Sequence, residues 1–303
     1  MIIIISFKCL TLEDKEMIEK YVNKEKLESY EYLFSSLYMW RKLNNVKYAI
    51  INDALIIEKN EEGKGTFYAQ PLGYDKDNLT ELVDILIERN TNFTDRDYLF
   101  GDVDENFIED LKKYTGFNIN VTEDINDSEY VYRTKDLIEL KGRKYHGKKN
   151  HFNSFKKSYE YEIKKINNEK VIRDCMTLLH KWHEEVAVTV DKEMLMEIDA
   201  IKDLFSELHL FDLKSIAVYV DENLAGFAVG EIANGNTAVI HVERGEIYYR
   251  GIYAFLNRKF LIDSFADTEF VNRQEDTGNA GLRKSKKSYH PIKMVKKYLL
   301  KVV

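Results

Sequence analysis

One order of secondary-structure elements occurs twice along this chain, and no other feature of the sequence limits its fold as strongly. In each half, alternating apolar residues predict a β-hairpin, followed by a strand, a helix, a strand, a second helix and a strand. The hairpin turns fall at Asn52-Asp53 and at residues 221–223, and the next helices begin near Asn78 and Ile252. The residues themselves do not repeat, so the duplication concerns the order of elements only.

This order predicts an α+β protein with two tandem domains, residues 1–135 and 136–303. Each domain is expected to hold a mixed, mostly antiparallel sheet flanked by helices. The boundary follows the polar, turn-like stretch from Thr122 to Ser128. The terminal apolar segment around Tyr298 then belongs to the second domain.

Composition narrows the class of protein. A chain of 303 residues with 44% hydrophobic and 13% aromatic residues can bury a core, and its formal charge of −7 argues against nucleic-acid binding by the whole surface. Cys9 and Cys175 form neither a disulfide framework nor a zinc spacing. No window approaches the roughly 20 apolar residues that span a bilayer. We therefore expect a soluble, cytoplasmic protein without integral membrane association.

The stretch from Thr237 to Asp276 is the candidate site. It predicts a strand, a glycine-containing polar turn, a helix from Ile252 and a second strand. Polar residues occupy the strand ends: His241 and Glu243 on the first, and Asn272 on the second. Because neighbouring strands of α/β proteins commonly present their sites at the carboxyl ends, we expect these side chains to meet.

A basic segment, residues 141–157, contains seven Lys or Arg, two His and no acid, although the chain as a whole is acidic. A second basic cluster, residues 283–293, follows the candidate site. Concentrated cations repel one another, so an anionic ligand is expected to offset them. Gly142 and Gly147 would let the backbone approach a phosphate.

The aromatic residues of the basic segment admit two interpretations. Tyr145, Phe152 and Phe155 could stack on nucleic-acid bases. Alternatively, the segment is a solvated helix face, with Phe152 and Phe155 turned to the core.

At these residues the chain resembles the C-terminal domain of phosphatidylglycerol lysyltransferases and their bacterial relatives. The resemblance implies two tandem acyltransferase folds of the N-acetyltransferase (GNAT) type. In the lysyltransferases such a domain moves an aminoacyl group from a charged tRNA onto a lipid headgroup. Their multi-helix membrane part has no counterpart here, so a lipid acceptor is not expected. The matching segments are residues 140–151, 240–243, 251–253, 256–257, 271–276, 281–283 and 289–291.

The resemblance suggests roles for four catalytic candidates. Glu243 is the first choice of base, the alternative being a structural partner of Arg244 or Arg250. His241 is a second base, an orienting group, or a satisfied core histidine. By fold analogy, Asn272 would polarise a carbonyl and Tyr289 would protonate a leaving group.

The phosphate-bearing carrier needs its own contacts. Arg250 and Gly251 open the helix at Ile252, where backbone N–H groups and the helix dipole favour phosphate. Acetyltransferases of this fold grip the pyrophosphate of coenzyme A with a glycine-rich run, whereas Tyr248 and Tyr249 are bulky, which favours a tRNA-like donor over acyl-CoA. The other candidates for carrier binding are Arg143, His146, Lys148, Lys149, Arg283 and Lys284.

A metal is not expected. His180, His183 and Glu184 lie on one predicted helix, but they lack the HExxH spacing and a third ligand.

The resulting hypothesis is an acyltransferase that moves an aminoacyl or acetyl group from aminoacyl-tRNA or acyl-CoA to an amine or hydroxyl acceptor. Its rival is a non-catalytic protein that binds tRNA or a phosphorylated metabolite through the same basic surface.

Overall fold

A computed structural model describes residues 5–25, 27–90, 97–186 and 192–303, and the side chains of residues 182–186 and 192–194 are not part of that description. The strands are β1 (Lys8–Cys9), β2 (Lys47–Ile51), β3 (Ala54–Glu61), β4 (Gly65–Ala69), β5 (Phe100–Val103), β6 (Ile119–Glu123), β7 (Glu129–Arg133), β8 (Tyr161–Lys164), β9 (Lys214–Val220), β10 (Asn223–Ala233), β11 (Thr237–Gly245), β12 (Phe270–Asn272), β13 (Lys293–Val295) and β14 (Tyr298–Val302).

The α-helices are α1 (Lys15–Glu25), α2 (Phe34–Trp40), α3 (Leu79–Asn90), α4 (Glu105–Tyr114), α5 (Thr134–Glu139), α6 (His146–Ser158), α7 (Glu169–Val186), α8 (Lys192–Ser206), α9 (Ile252–Ser264) and α10 (Ala280–Lys287). Short 3₁₀ turns precede several of them, including Arg143–Tyr145 before α6. In the described ranges no helix is long and apolar enough to cross a membrane.

The two sheets share one topology. Their strand orders are β1-β2-β3-β4-β5-β14-β6 and β8-β9-β10-β11-β12-β7-β13. The fourth and fifth strands of each order, β4 with β5 and β11 with β12, run parallel. The first four strands of each order pair antiparallel. The mixed, mostly antiparallel sheet predicted for each half is therefore present twice.

The domain limits differ from those expected. One compact unit comprises residues up to Ser128 together with Val295–Val303, and the other comprises Glu129–Met294. β7 lies before the predicted boundary after residue 135, yet it pairs with β12. The terminal strand β14 pairs with β5 and β6 of the first unit. Each sheet is thus completed by a strand that is distant in sequence, which the local order of elements does not reveal.

A β-bulge in the middle of β11 determines the face on which Glu243 lies. The register with β10 shifts between Val229 and Gly230, which pair with Val242 and Ile240, so that His241 is the extra residue of the bulge. Such a bulge resets the alternation of side chains along a strand. Ile240 belongs to the hydrophobic cluster of α9, and Glu243, three residues later, also reaches α9. Without the bulge an odd spacing would place these two side chains on opposite faces.

The core of the second unit contains the aromatic residues of the basic segment. Phe155 and Phe152 stack on Phe255 of α9, with ring centroids 4.5 and 5.5 Å apart. Tyr145 is also buried. These rings are not available to nucleic-acid bases, so the stacking interpretation is wrong and core packing holds. Each buried phenyl ring contributes about 1.5–3 kcal/mol of hydrophobic stabilisation, which binds α6 to α9.

Candidate active site

Glu243, at the end of β11, forms a nearly buried ion pair. Its Oε1 accepts a hydrogen bond from Nη2 of Arg273 at 3.0 Å, and its Oε2 accepts one from the Asn257 amide at 3.2 Å. The two charged side chains are 12% and 11% exposed. Arg273 directly follows β12, the parallel neighbour of β11, so the carboxyl ends of these strands bring the two groups together.

The alternative partners of Glu243 are engaged elsewhere or lie at the surface. Arg244 forms an ion pair with Glu197 of α8. Arg250 is exposed, and its backbone N–H donates to the Tyr159 hydroxyl at 3.2 Å. Among the contacts of the described residues, the arginine that pairs with Glu243 is therefore Arg273.

Arg273 offers a hydrogen-bond donor that the protein does not use. Its Nη1 is buried and has no hydrogen-bond partner. The guanidinium carbon lies 4.7 Å from the centre of the Tyr289 ring. A buried N–H without a partner costs about 1–3 kcal/mol, so an acceptor on a ligand would remove that penalty.

Tyr289 and Lys148 complete the arrangement. Tyr289 is 4% exposed, and burial raises the pKa of its hydroxyl to about 12. The Lys148 Nζ of α6 lies 3.9 Å from the centre of the Tyr289 ring. Burial, and then the charge of Arg273, lower the pKa of Lys148 to about 8. We call Glu243, Asn257, Arg273, Tyr289 and Lys148 the Glu243 cluster.

A further buried cation lies beside the Glu243 cluster. Lys286 of α10 is 7% exposed, and its ammonium donates to the carbonyl of Arg273 at 2.6 Å and to that of Glu275. Burial lowers its pKa to about 8. Lys148, Arg273 and Lys286 thus place three cationic groups near the carboxylate of Glu243. Buried charge of one sign is costly unless it is compensated, so this geometry favours an anion or a developing negative charge.

The two basic regions of the sequence meet at this site. His290 lies 3.2 Å from the carbonyl of Lys144 through its Nε2, and its ring contacts Tyr145 edge-on at 5.4 Å. The contact of Lys148 with Tyr289 joins the same two segments. The expectation that both basic regions flank one site therefore agrees with the geometry.

Two of the four catalytic candidates lie outside the Glu243 cluster. Asn272 is fully buried, where its amide donates to Glu129 and its carbonyl accepts from the Gln274 N–H at 2.8 Å. His241 is 8% exposed, and its ring nitrogens lie 2.6 Å from a carboxylate oxygen of Glu231 and 3.4 Å from the Gln274 amide. His241 thus has the contacts of a satisfied core histidine, the alternative left open by the sequence.

The carrier-binding candidates are distributed unequally. Lys148 points into the site, whereas Arg283 forms a two-pronged ion pair with Asp276 at 2.8 and 2.7 Å. Hydrogen bonding from Arg283 is the main cause that lowers the pKa of Asp276 to about 2. This pair holds the start of the segment leading to α10. The remaining candidates are exposed to solvent: Arg143, His146, Lys149, Arg250 and Lys284.

Gly251 is required by packing. It has a φ of +92°, and a Cβ at this position would lie 2.2 Å from the carbonyl oxygen of His151 in α6. The backbone of α6 therefore approaches the first turn of α9, and it presents a carbonyl oxygen there. In the turn before α9, Glu246 is buried and Tyr248 is exposed. The turn before α9 thus combines a buried carboxylate, an exposed ring and a nearby backbone carbonyl.

Sequence reasoning missed Arg273, Asn257 and Lys286. Arg273 directly follows Asn272, the polar residue that the sequence predicts at the end of this strand. The usable signal was charge complementarity: the ends of two parallel strands carry one glutamate and one arginine. Asn257 was hidden in the apolar pattern of α9, and its burial follows from its contact with Glu243.

Of the histidine pair on α7, only one side chain is described. His180 is exposed, and the side chains of His183 and Glu184 lie outside the described residues. Within the described ranges, no three His, Cys, Asp or Glu residues are grouped so that they could hold a metal ion.

Comparisons with known proteins agree with this architecture. The model of the family described as "Phosphatidylglycerol lysyltransferase, C-terminal" matches residues 24–301. An uncharacterized protein of Mycoplasmoides gallisepticum is 31% identical over 180 residues, a match that covers 59% of this chain and 57% of that protein. The match thus spans little more than half the length of that relative.

Solved structures extend the likeness to the whole chain. A conserved protein of unknown function from Bacteroides thetaiotaomicron is 28% identical, with a TM-score of 0.88 over 99% of this chain and 100% of that one. L-PGS from Bacillus licheniformis is 13% identical, with a TM-score of 0.59 over 95% and 91%. A tandem GNAT protein from the clavulanic acid biosynthesis pathway is 9% identical, with a TM-score of 0.52 over 98% of each chain. The predicted fold of two tandem GNAT-like domains is confirmed.

Proposed function

Because the chain belongs to the phosphatidylglycerol lysyltransferase C-terminal family, we propose that it is an acyltransferase that moves an aminoacyl group from a phosphate-bearing carrier to an amine or hydroxyl acceptor. The observation that carries the proposal is the Glu243 cluster. In this cluster the Glu243 carboxylate pairs with Arg273, the Nη1 of Arg273 has no hydrogen-bond partner, and Lys148 and Arg273 both lie against the ring of Tyr289.

Glu243 acts as the base in this mechanism. The ion pair with Arg273 and the hydrogen bond from Asn257 fix its carboxylate. The acceptor approaches with its N–H or O–H toward Glu243, which takes the proton as the nucleophile attacks the ester carbonyl of the aminoacyl group. The carbonyl oxygen then becomes an oxyanion in a tetrahedral intermediate.

The cations stabilise that oxyanion. The free Nη1 of Arg273 and the ammonium of Lys148 are donors in a poorly solvated site, where such contacts are strongest. When the intermediate collapses, the ester C–O bond breaks and the carrier leaves with its oxygen. Tyr289 gives its proton to this oxygen, because with a pKa of about 12 it is protonated at neutral pH. The cycle closes when the proton that Glu243 took from the acceptor is returned to the Tyr289 oxygen, directly or through solvent.

The carrier is proposed to be aminoacyl-tRNA. The turn before α9 carries Glu246 and Tyr248, and Gly251 is occupied by packing against α6, so it offers little to coenzyme A. In contrast, Arg143, His146 and Lys149 are exposed on the basic segment, next to Lys148. Exposed cations that neutralise phosphates bind polyanions by releasing counterions.

The test compares two probes, aminoacyl-tRNA and acetyl-CoA, in transfer and thermal-shift assays, together with mass spectrometry of what copurifies with the protein. Glu243→Gln is expected to abolish transfer while binding of aminoacyl-tRNA is nearly unchanged, because the base does not contact the carrier. Glu269→Gln, a surface carboxylate 54% exposed, is the matched control. The joint replacement of Lys148 and Lys149 by Ala should weaken tRNA binding and flatten its salt dependence.

One result would reject the enzyme, and another would reject aminoacyl-tRNA as its carrier. If Glu243→Gln were silent while the double lysine variant lost tRNA binding, the chain would be a non-catalytic binding protein. If acetyl-CoA alone stabilised the protein, the aminoacyl version would be rejected.

A further inference from the structure

A second concave site lies in the Glu129–Met294 unit, and it shares no residue with the Glu243 cluster. It is a cavity of about 420 Å³ between α7, the β9–β10 turn and the segment that follows β11. Asp174, Glu222 and Glu246 line it, with Lys181 as the cation of its wall. Lys170 pairs with Asp174 and Lys181 pairs with Glu246, so the three carboxylates outnumber the ammonium groups by one.

The carboxylate of Glu246 has an oxygen that can accept a hydrogen bond from a ligand. Glu246 is 7% exposed, and its backbone N–H donates a hydrogen bond to the carbonyl of Ala225 at 2.8 Å. Lys181 forms an ion pair with its Oε2. The other oxygen, Oε1, is buried and has no hydrogen-bond partner. A buried carboxylate oxygen without a donor is costly, so a donor from a ligand would be strongly favoured.

The rest of the wall suits an organic cation with an alkyl chain. The faces of tyrosine rings attract cations, and Tyr248, 71% exposed, and Tyr249 line the opening. Leu178 and Leu224 supply an apolar strip. Asp174 accepts from the Tyr219 hydroxyl at 2.7 Å and from Lys170 at 2.9 Å, so its charge is offset and Glu246 is the carboxylate that can take a new contact.

A metal ion fits less well. In the described part of the chain, these carboxylates do not form a group of three that could hold one. A primary ammonium needs fewer ligands, since each of its N–H groups takes one acceptor.

We propose that this cavity binds a primary alkylammonium group, with Oε1 of Glu246 as its acceptor. The two tyrosines flank the charge, and the alkyl chain lies against Leu178 and Leu224. The ligand class is a small alkylamine or an amino-acid side chain that ends in an ammonium. The proposal concerns binding alone, so it stands or fails separately from aminoacyl transfer.

Isothermal titration calorimetry on the full chain tests the site with cadaverine as the probe. Neutral 1,5-pentanediol and anionic glutarate have the same carbon chain and serve as ligand controls. Cadaverine should bind, whereas the two controls should not. Glu246→Gln should weaken cadaverine binding about tenfold or more, because the loss of a charge-assisted hydrogen bond has this size. Glu160→Gln, an exposed carboxylate outside the cavity, should leave it unchanged.

A second variant covers the case in which Glu246→Gln unfolds. Lys181→Met removes the ammonium that pairs with Glu246, so cadaverine should bind as tightly as before or more tightly. The proposal is overturned if the wild type binds no cadaverine, if Glu246→Gln binds it as well as the wild type, or if Lys181→Met abolishes binding.

Discussion

Replacing Glu243 by Gln should destabilise the protein through the arginine that is left behind. Oε1 of Glu243 and Nη2 of Arg273 are 3.0 Å apart, and both side chains are nearly buried. At an effective dielectric constant of about 20, unit charges at this separation attract by about 5 kcal/mol. The glutamine keeps an oxygen that accepts from Asn257 or Arg273, so part of the interaction survives. We expect the free energy of unfolding to fall by about 3 kcal/mol, the lower end of the range for breaking a buried pair.

Urea unfolding followed by circular dichroism measures this change. The double variant Glu243→Gln/Arg273→Met leaves no unpaired buried charge, so it should be more stable than Glu243→Gln alone. The control pair is Arg133 with Glu269, which are 3.9 Å apart and 56% and 54% exposed. Glu269→Gln should change stability by less than about 1 kcal/mol, as is usual for surface pairs. The reasoning is refuted if Glu243→Gln costs no more than Glu269→Gln, or if the double variant is the least stable.

Three further predictions concern packing, pH and thiol reactivity. Gly251→Ala should lower the free energy of unfolding, measured by thermal denaturation, by more than about 1–3 kcal/mol, because strain at positive φ adds to a backbone clash. The control Gly147→Ala lies in open space on α6, so it should leave this free energy unchanged or raise it slightly. Binding of sulfate, measured calorimetrically, should weaken as pH rises through about 8, since Lys148 and Lys286 each have a pKa of about 8 and lose their charge above it. Lys148→Met should remove the part of this pH dependence that is due to Lys148, and a profile unchanged by the substitution would exclude Lys148 from the anion site. In the folded protein a thiol reagent should label Cys9, which is exposed, and spare Cys175, because burial raises the pKa of its thiol; equal labelling would contradict the structure.

The sequence was sufficient for the features that depend on local order. Alternation of apolar residues located β11, α9 and β12, and the polar ends of β11 and β12 pointed to Glu243. The two basic regions indicated an anionic ligand. The positions of β11, α9 and β12 were predicted correctly because period and composition act over a few residues. The anionic ligand and the role of Glu243 stay predictions.

Contacts between distant segments were beyond such reasoning. β7 pairs with β12, and β14 pairs with β5 and β6. These partners are far apart in sequence, so no local pattern of residues specifies the pairing. The bulge at His241 depends on the register with β10, so the face on which Glu243 lies could not be read from alternation alone. Phe152 and Phe155 face the core because α9 covers them.

The same limit applies to the charged side chains. Arg283 belongs to a basic cluster in sequence, but Asp276 neutralises it in space. Arg273 gave no signal of its own until β11 and β12 were known to run parallel side by side. Whether a cationic side chain can bind a ligand depends on the acidic side chains that lie beside it in the fold, and the sequence alone does not show which these are.

Transfer of an isotopically labelled amino acid from a charged tRNA pool to small amines and alcohols, followed by mass spectrometry under single-turnover conditions, tests the central claim most directly. The account predicts labelled product with the wild type, and none with Glu243→Gln or Arg273→Met, although both variants still bind the charged tRNA. Undiminished transfer by these two variants, or wild-type transfer from acetyl-CoA but not from tRNA, would contradict it.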